Sequence, residues 1–141
     1  MTSYAGACFC GSIGYDLQSD IAPSDWSIRA CQCAFCRAHD ALSTSDPSGE
    51  LHFQCTRPEN LQRYRFAMRT ADFLLCRECG VYIGAVIETE DGCYGIINTH
   101  SLRASPPDIA TAMPISYSSE DLQGRVNRRA TRWTPVTTVP W

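Results

Sequence analysis

The stretch Cys31-Gln32-Cys33-Ala34-Phe35-Cys36 constrains this chain more than any other. Three thiols fall within six residues, in a C-x-C-x-x-C arrangement followed by Arg37. A Cys-x-x-Cys turn brings two sulfurs within reach of one ion. Cys31 adds a third, because positions i and i+2 of an extended strand project to the same face. Three thiolates suit zinc, which takes soft sulfur and nitrogen ligands in tetrahedral geometry. The motif fills three of the four corners, so what fills the fourth is the functional question.

The chain has nine cysteines, and seven of them cluster: Cys8 with Cys10, Cys31 with Cys33 and Cys36, and Cys76 with Cys79. Cys55 and Cys93 stand alone and read as small buried strand residues. A closed structural zinc site needs four ligands. Two pairs make four and leave the triplet one short. The arithmetic therefore predicts two zinc ions per chain. A structural ion is held by Cys8, Cys10, Cys76 and Cys79, and a catalytic ion by Cys31, Cys33 and Cys36, whose site stays open. The competing arrangement is a second structural site, with the triplet closed by Cys55, Cys93, His39, His52 or His100. The odd cysteine count disfavours a disulfide scaffold. Residues Met1 to Gly6 carry neither a basic region nor an apolar one, so no signal peptide is expected. The longest apolar run, Val81 to Ile87, is too short to cross a bilayer. These features predict a cytoplasmic protein with no membrane partner and reduced thiols.

At 141 residues the chain is expected to form one domain, 1–141, with a core over about 4–104 and an irregular C-terminal tail over 105–141. The net charge of -3 argues against a nucleic-acid partner. Period-two alternation marks strands at Ile13-Tyr15-Leu17, Trp26-Ile28-Ala30, Leu51-Phe53-Cys55 and Gln62-Tyr64-Phe66. Asp72 to Cys76 reads as a short strand, and Val81–Thr89 and Cys93–Thr99 as a hairpin turning at Asp91-Gly92. A short helix is expected over Ala34–Leu42, a loop over Ser43–Glu50, and a helical turn at Ser118–Leu122. Pro106-Pro107 reads as the end of the sheet region. The pattern predicts a mostly β domain of about seven to nine short antiparallel strands. An exposed strand edge could support a homodimer.

Three motifs carry a resemblance to a known family. Gly6-Ala7-Cys8-Phe9-Cys10-Gly11 with Ile13 and Tyr15, Cys31-Gln32-Cys33-Ala34-Phe35-Cys36-Arg37, and Cys76-Arg77-Glu78-Cys79-Gly80 resemble, in order and spacing, the motifs of the glutathione-dependent formaldehyde-activating (GFA, or CENP-V/GFA) zinc proteins. The resemblance spans about residues 4–100. It implies a Mss4-like β-tent zinc-binding fold and the same division of ligands as the cysteine count. It also implies a carbon–sulfur lyase that makes or breaks the adduct between glutathione and formaldehyde. Gln32 departs from the pattern, since many members carry His there.

The chemistry of an open three-thiolate zinc agrees with that implication. Its net local charge of minus one makes it a weak Lewis acid toward water and a better match for a substrate thiol. The expected partners are a small aldehyde and a thiol such as glutathione, or an imine. Two other readings stay open: a zinc-dependent hydrolase or lyase acting on an imine or another small electrophile, and a non-catalytic zinc-stabilised binding module. Arg37 and Arg77 could clamp a substrate carboxylate or brace the metal turns. His39 and Asp40 could move protons or sit at the surface. Arg125, Arg128, Arg129 and Arg132 read as a solvated basic tail, and Trp26, Trp133 and Trp141 as packing residues.

Overall fold

Alternation along the first hairpin decides which side of the molecule is inside. In the computed structural model, which describes residues 1–141, β1 (Thr2–Ala7) pairs antiparallel with β2 (Ile13–Ser19). Strand β2 buries Ile13, Tyr15 and Leu17 on one face. Strand β5 (Glu50–Cys55) lies antiparallel on its other edge and adds Leu51 and Phe53 to that face. A second layer holds β3 (Arg29–Cys31), β4 (Ser43–Thr44), β6 (Leu61–Tyr64), β7 (Asp72–Cys76), β8 (Tyr82–Thr89) and β9 (Gly92–Asn98). Helix α1 (Ala34–Ala38) follows β3. Residues 105–141 supply β10 (Met113–Ile115), α2 (Leu122–Arg132) and β11 (Thr134–Thr138).

The architecture is of the mostly β, Mss4-like kind, with eleven strands in a mixed sheet. Two pairings, β3 with β10 and β5 with β11, are parallel, so the strands are not all antiparallel. The strand count exceeds expectation, and the tail is structured, for one reason. The tail segments are held by pairing to earlier strands rather than by an apolar pattern of their own. Strand β11 is the clearest case. Thr134 and Pro135 pair with Tyr94 and Gly95 of β9, while Val136 and Thr138 pair with β5, so one short strand joins the two layers. The edge of β9 left over is taken by β4 at Ile97 and Asn98.

Strand β8 is buried on both faces from Tyr82 to Ile87, which explains its unbroken apolar run. One face joins Tyr15, Phe53, Leu74, Ile83, Val86 and Ile97 in the core between the layers. The other gathers Tyr82, Ala85 and Ile87 with Phe73, Ile96, Trp133 and Cys36. This second cluster seats α1 and α2 against the sheet. Phe35 anchors α1 there, with its ring 4.7 Å from Phe66, 5.0 Å from Phe73 and 5.3 Å from Tyr82. Helix α1 stops at Ala38 because Asp40 takes a left-handed φ of 50° and turns the chain into β4. Helix α2 starts where only a turn was expected, capped by Asp121, whose carboxylate accepts from the Gly124 N–H at 2.7 Å. No helix is long and apolar enough to cross a membrane.

A dispensable tail and a tail that joins the layers make opposite forecasts. Trp133 and Thr134 are buried, and Thr134 Oγ1 accepts from the Asp46 N–H at 2.8 Å. Deleting residues 133–141 removes a buried tryptophan and a shared strand, a loss of about 3–5 kcal/mol or more by analogy with large-to-small core changes. Thermal unfolding followed by circular dichroism should therefore show a drop of about 10 °C or greater, or insoluble protein.

Candidate metal centre

The two hairpin turns nearest each other build the first sulfur cluster. After β1 the chain turns through Cys8 to Gly11, with the Cys8 N–H donating to the Ile13 carbonyl at 2.9 Å and the Gly11 N–H to the Cys8 carbonyl at 3.1 Å. After β7 it turns in the same way, the Gly80 N–H donating to the Cys76 carbonyl at 2.9 Å. Both turns need a left-handed residue, supplied by Gly11 at φ 82° and Gly80 at φ 79°. Cys8 and Cys10 therefore sit on a turn and not on one strand face. The sulfurs of Cys8, Cys10, Cys76 and Cys79 all lie within 4.8 Å of one another. Cys8 and Cys10 are 3.8 Å apart and Cys10 and Cys76 3.5 Å. A tetrahedral zinc with sulfur at ~2.3 Å requires sulfur–sulfur separations near ~3.8 Å. The Ile13 N–H points at Cys8 Sγ (3.4 Å) and the Cys79 N–H at Cys76 Sγ (3.5 Å). The donor set fits a closed ion.

The second cluster is Cys31, Cys33 and Cys36, again with sulfurs within 4.8 Å of one another. Cys31 ends β3, and the next N–H, from Gln32, is held by the Ile115 carbonyl of β10 at 2.9 Å. Cys33 is the N-cap of α1, its sulfur accepting from the Cys36 N–H at 3.4 Å. Cys36 is buried and Cys33 exposed. No fourth cysteine, histidine or carboxylate joins this group. Cys55 and Cys93 pack partly buried against the inter-layer core. His52 meets Thr137 Oγ1 at 2.7 Å, His100 lies 3.3 Å from Asp40, and His39 stacks on Phe35 at 4.5 Å. The residues suggested as closing ligands thus have other neighbours. A hydrogen bond shared with Cys36 pushes Cys31 down, and the same bond pushes Cys36 up.

The triplet opens into a pocket of about 260 Å³. Its apolar wall is Phe66, Ala67, Phe73, Ile96 and Trp133, and its polar wall includes Arg29, Tyr117, Arg125, Arg128 and Arg129. No Asp, Glu or His lines it, which removes His39 and Asp40 from the site. Arg37 is exposed and does not line the pocket either. Arg77 lies by the closed cluster, its Nε donating to the Leu61 carbonyl at 3.4 Å, so it braces the strands there. The basic wall comes instead from α2 and β3. Arg125, Arg128, Arg129 and Arg132 follow i, i+3, i+4, i+7 spacing, which puts them on one helical face. Arg29 precedes Cys31 by two on the same strand and so shares its face. Both signals are present in the sequence.

The structure so far defines a mostly β protein with one closed and one open thiol cluster, each able to hold a metal ion. The glutathione-dependent formaldehyde-activating enzyme family matches residues 3–117, and the chain belongs to that family. A crystal structure of a Rhodobacter sphaeroides protein is similar in fold, with a TM-score of 0.58 and 25% identity over 77% of this chain and 99% of that one. Among curated proteins the sequence finds no significant match.

The two clusters should differ in what they do for the fold. Cys79→Ser should lower the melting temperature strongly or give insoluble protein, because metal binding at a four-ligand site is folding free energy. Mild chelation of the wild type should remove about one equivalent of metal per chain with the circular dichroism unchanged, and alkylation with mass spectrometry should place the newly reactive thiols at Cys31, Cys33 and Cys36.

Proposed function

We propose that this chain is a zinc-dependent carbon–sulfur lyase that joins a small thiol to a small aldehyde or reverses that addition, with glutathione and formaldehyde as the pair named by its family. The observation that carries the proposal is a three-sulfur cluster with an exposed member, set in a pocket without acidic residues or histidine. Cys8, Cys10, Cys76 and Cys79 would hold a structural ion, and Cys31, Cys33 and Cys36 a catalytic one. When bound, zinc would supply a Lewis acid able to lower the pKa of a substrate thiol.

The chain's own residues do the rest. Cys31, fixed on β3, and Cys36, buried on α1, set the two deeper sulfurs, while exposed Cys33 leaves the approach clear. Phe66, Phe73, Ile96 and Trp133 exclude water from one side, which lowers the local dielectric and disfavours side reactions of the adduct. The hydroxyls of Ser43, Ser116, Ser118 and Tyr117 line the pocket and can donate to the oxygen that becomes negative as the carbonyl carbon is attacked. Hydrolysis of an imine is less well supported. A weakly acidic three-thiolate zinc needs a carboxylate or histidine to activate water, and the pocket offers neither.

The test is the rate of adduct formation from formaldehyde and glutathione, with the zinc-loaded protein and without it. Wild type should accelerate the reaction. Cys33→Ala should bring the rate to the uncatalysed value while the other ion and the circular dichroism spectrum are retained. Equal rates with and without wild-type protein would remove the lyase proposal for this pair.

A further inference from the structure

Charge is distributed unevenly around the pocket. Arg29, Arg125, Arg128 and Arg129 all line it, and no carboxylate does. Glu120, outside the pocket, is the acid paired with this group, at 3.3 Å from Arg125 Nε and 2.8 Å from Arg128 Nε. These two bonds hold Glu120 below the usual carboxylate range, Arg128 contributing most. Arg128 also lies over the Tyr117 ring at 3.6 Å. Arg125 and Arg128 are thus partly neutralised and held in place.

Arg29 and Arg129 are not. Neither forms an ion pair. Arg29, half-buried, donates to Ser45 Oγ at 2.8 Å. Arg129 is 8% exposed, donates from Nη1 to Thr70 Oγ1 at 2.7 Å and sits 5.0 Å from the Trp133 ring. Its Nε is buried with no hydrogen-bond partner. A buried guanidinium without a counter-charge is costly. One buried and one half-buried guanidinium facing the same cavity is an arrangement that an anion in that cavity would relieve. A bound zinc with three thiolates carries one net negative charge, less than the two unpaired guanidinium groups.

We propose that this pocket selects a small substrate bearing a carboxylate or a similar oxyanion, held by Arg29 and Arg129 with its reacting end toward Cys31, Cys33 and Cys36. The inference rests on reading the pocket as the lyase site. Arg129 lies beyond residue 117, where the family match ends, so half of this anion clamp belongs to the part of the chain that the match leaves out. The volume of about 260 Å³ suits a substrate of modest size, with its apolar stem on Phe66 and Phe73 and its charged end on the guanidinium forks.

The experiment compares three thiols of similar length on the full zinc-loaded chain by calorimetric titration: 3-mercaptopropionate, 2-mercaptoethanesulfonate and neutral 2-mercaptoethanol. Adduct formation with formaldehyde is measured in parallel. The anionic thiols should bind about tenfold or more tightly than the neutral one. Arg29→Gln and Arg129→Gln should each cut that preference severalfold with binding of 2-mercaptoethanol unchanged. A preference for the carboxylate alone would narrow the proposal to planar oxyanions, and a preference for both would support it as stated. Equal affinity for charged and neutral thiols overturns it, even if adduct formation is catalysed. Anionic preference without any catalysis leaves the clamp standing and removes the lyase reading. Should Arg129→Gln fail to fold, Arg29→Gln decides: a folded variant with undiminished preference overturns the clamp.

Discussion

The positions of both clusters depend on the contact between two turns. Four sulfurs from the β1–β2 and β7–β8 turns converge within 4.8 Å, and such closeness is unfavourable for thiolates without a cation between them. The surroundings of the sulfurs push two of them in opposite directions. Hydrogen bonds from Ser12 hold Cys10 down to about 6, while burial pushes Cys76 up to about 11. An ion held by the four sulfurs would offset their repulsion and tie the first layer to the second at one end. Strand β7 ends at Cys76 of this cluster, β8 pairs with β7, and the far face of β8 is the floor on which α1 and Cys36 rest. The open cluster is in this sense built on the closed one.

The open cluster has a different environment on each side. Aromatic rings and Ile96 face it from the sheet, and guanidinium groups face it from α2 and β3. Tyr82 adds a detail. Its hydroxyl is buried without a partner, and burial pushes its pKa well above the ordinary value, with the charge of Cys36 adding to the effect. The two buried side-chain atoms without partners, Tyr82 Oη and Arg129 Nε, thus belong to one packed cluster and the pocket it borders. Polar groups left unpaired are tolerated where a ligand or a function compensates them, and here they gather around the site rather than scatter through the core.

The sequence made the sulfur chemistry legible because cysteine spacing is local and ligand number is an integer. Motifs of two, three and two thiols allow few groupings, and the four-plus-three division is the one the fold brings together. Strands with strong alternation, such as Ile13-Tyr15-Leu17 and Leu51-Phe53, were legible for the same reason. The tail was not. Strands β10 and β11 contain Pro114 and Pro135 and exist by pairing with partners about forty to more than eighty residues away, which no local pattern records. Helix α2 was hidden by its composition. Its inward face carries arginines where an apolar stripe would mark an ordinary helix, so the i, i+3, i+4, i+7 pattern was present in a residue type read as solvated. The residues placed at the pocket from sequence, Arg37 and Arg77, were chosen for nearness along the chain to a cysteine; those that line it are near in space.

Strand β11 has a consequence for how the chain assembles. It lies between β5 and β9, with partners at Leu51 and Gly95. Contacts of such long sequence separation form late and slow the overall reaction, because loop closure must precede any gain. Trp133 and Arg129 are tied to the same event through the Trp133 N–H, which donates to the Arg129 carbonyl at 2.8 Å. Because Trp133 and Arg129 both line the pocket beside the sulfur triplet, the wall of that pocket is complete only when this segment is docked. The C-terminal segment is therefore part of the site as well as part of the sheet.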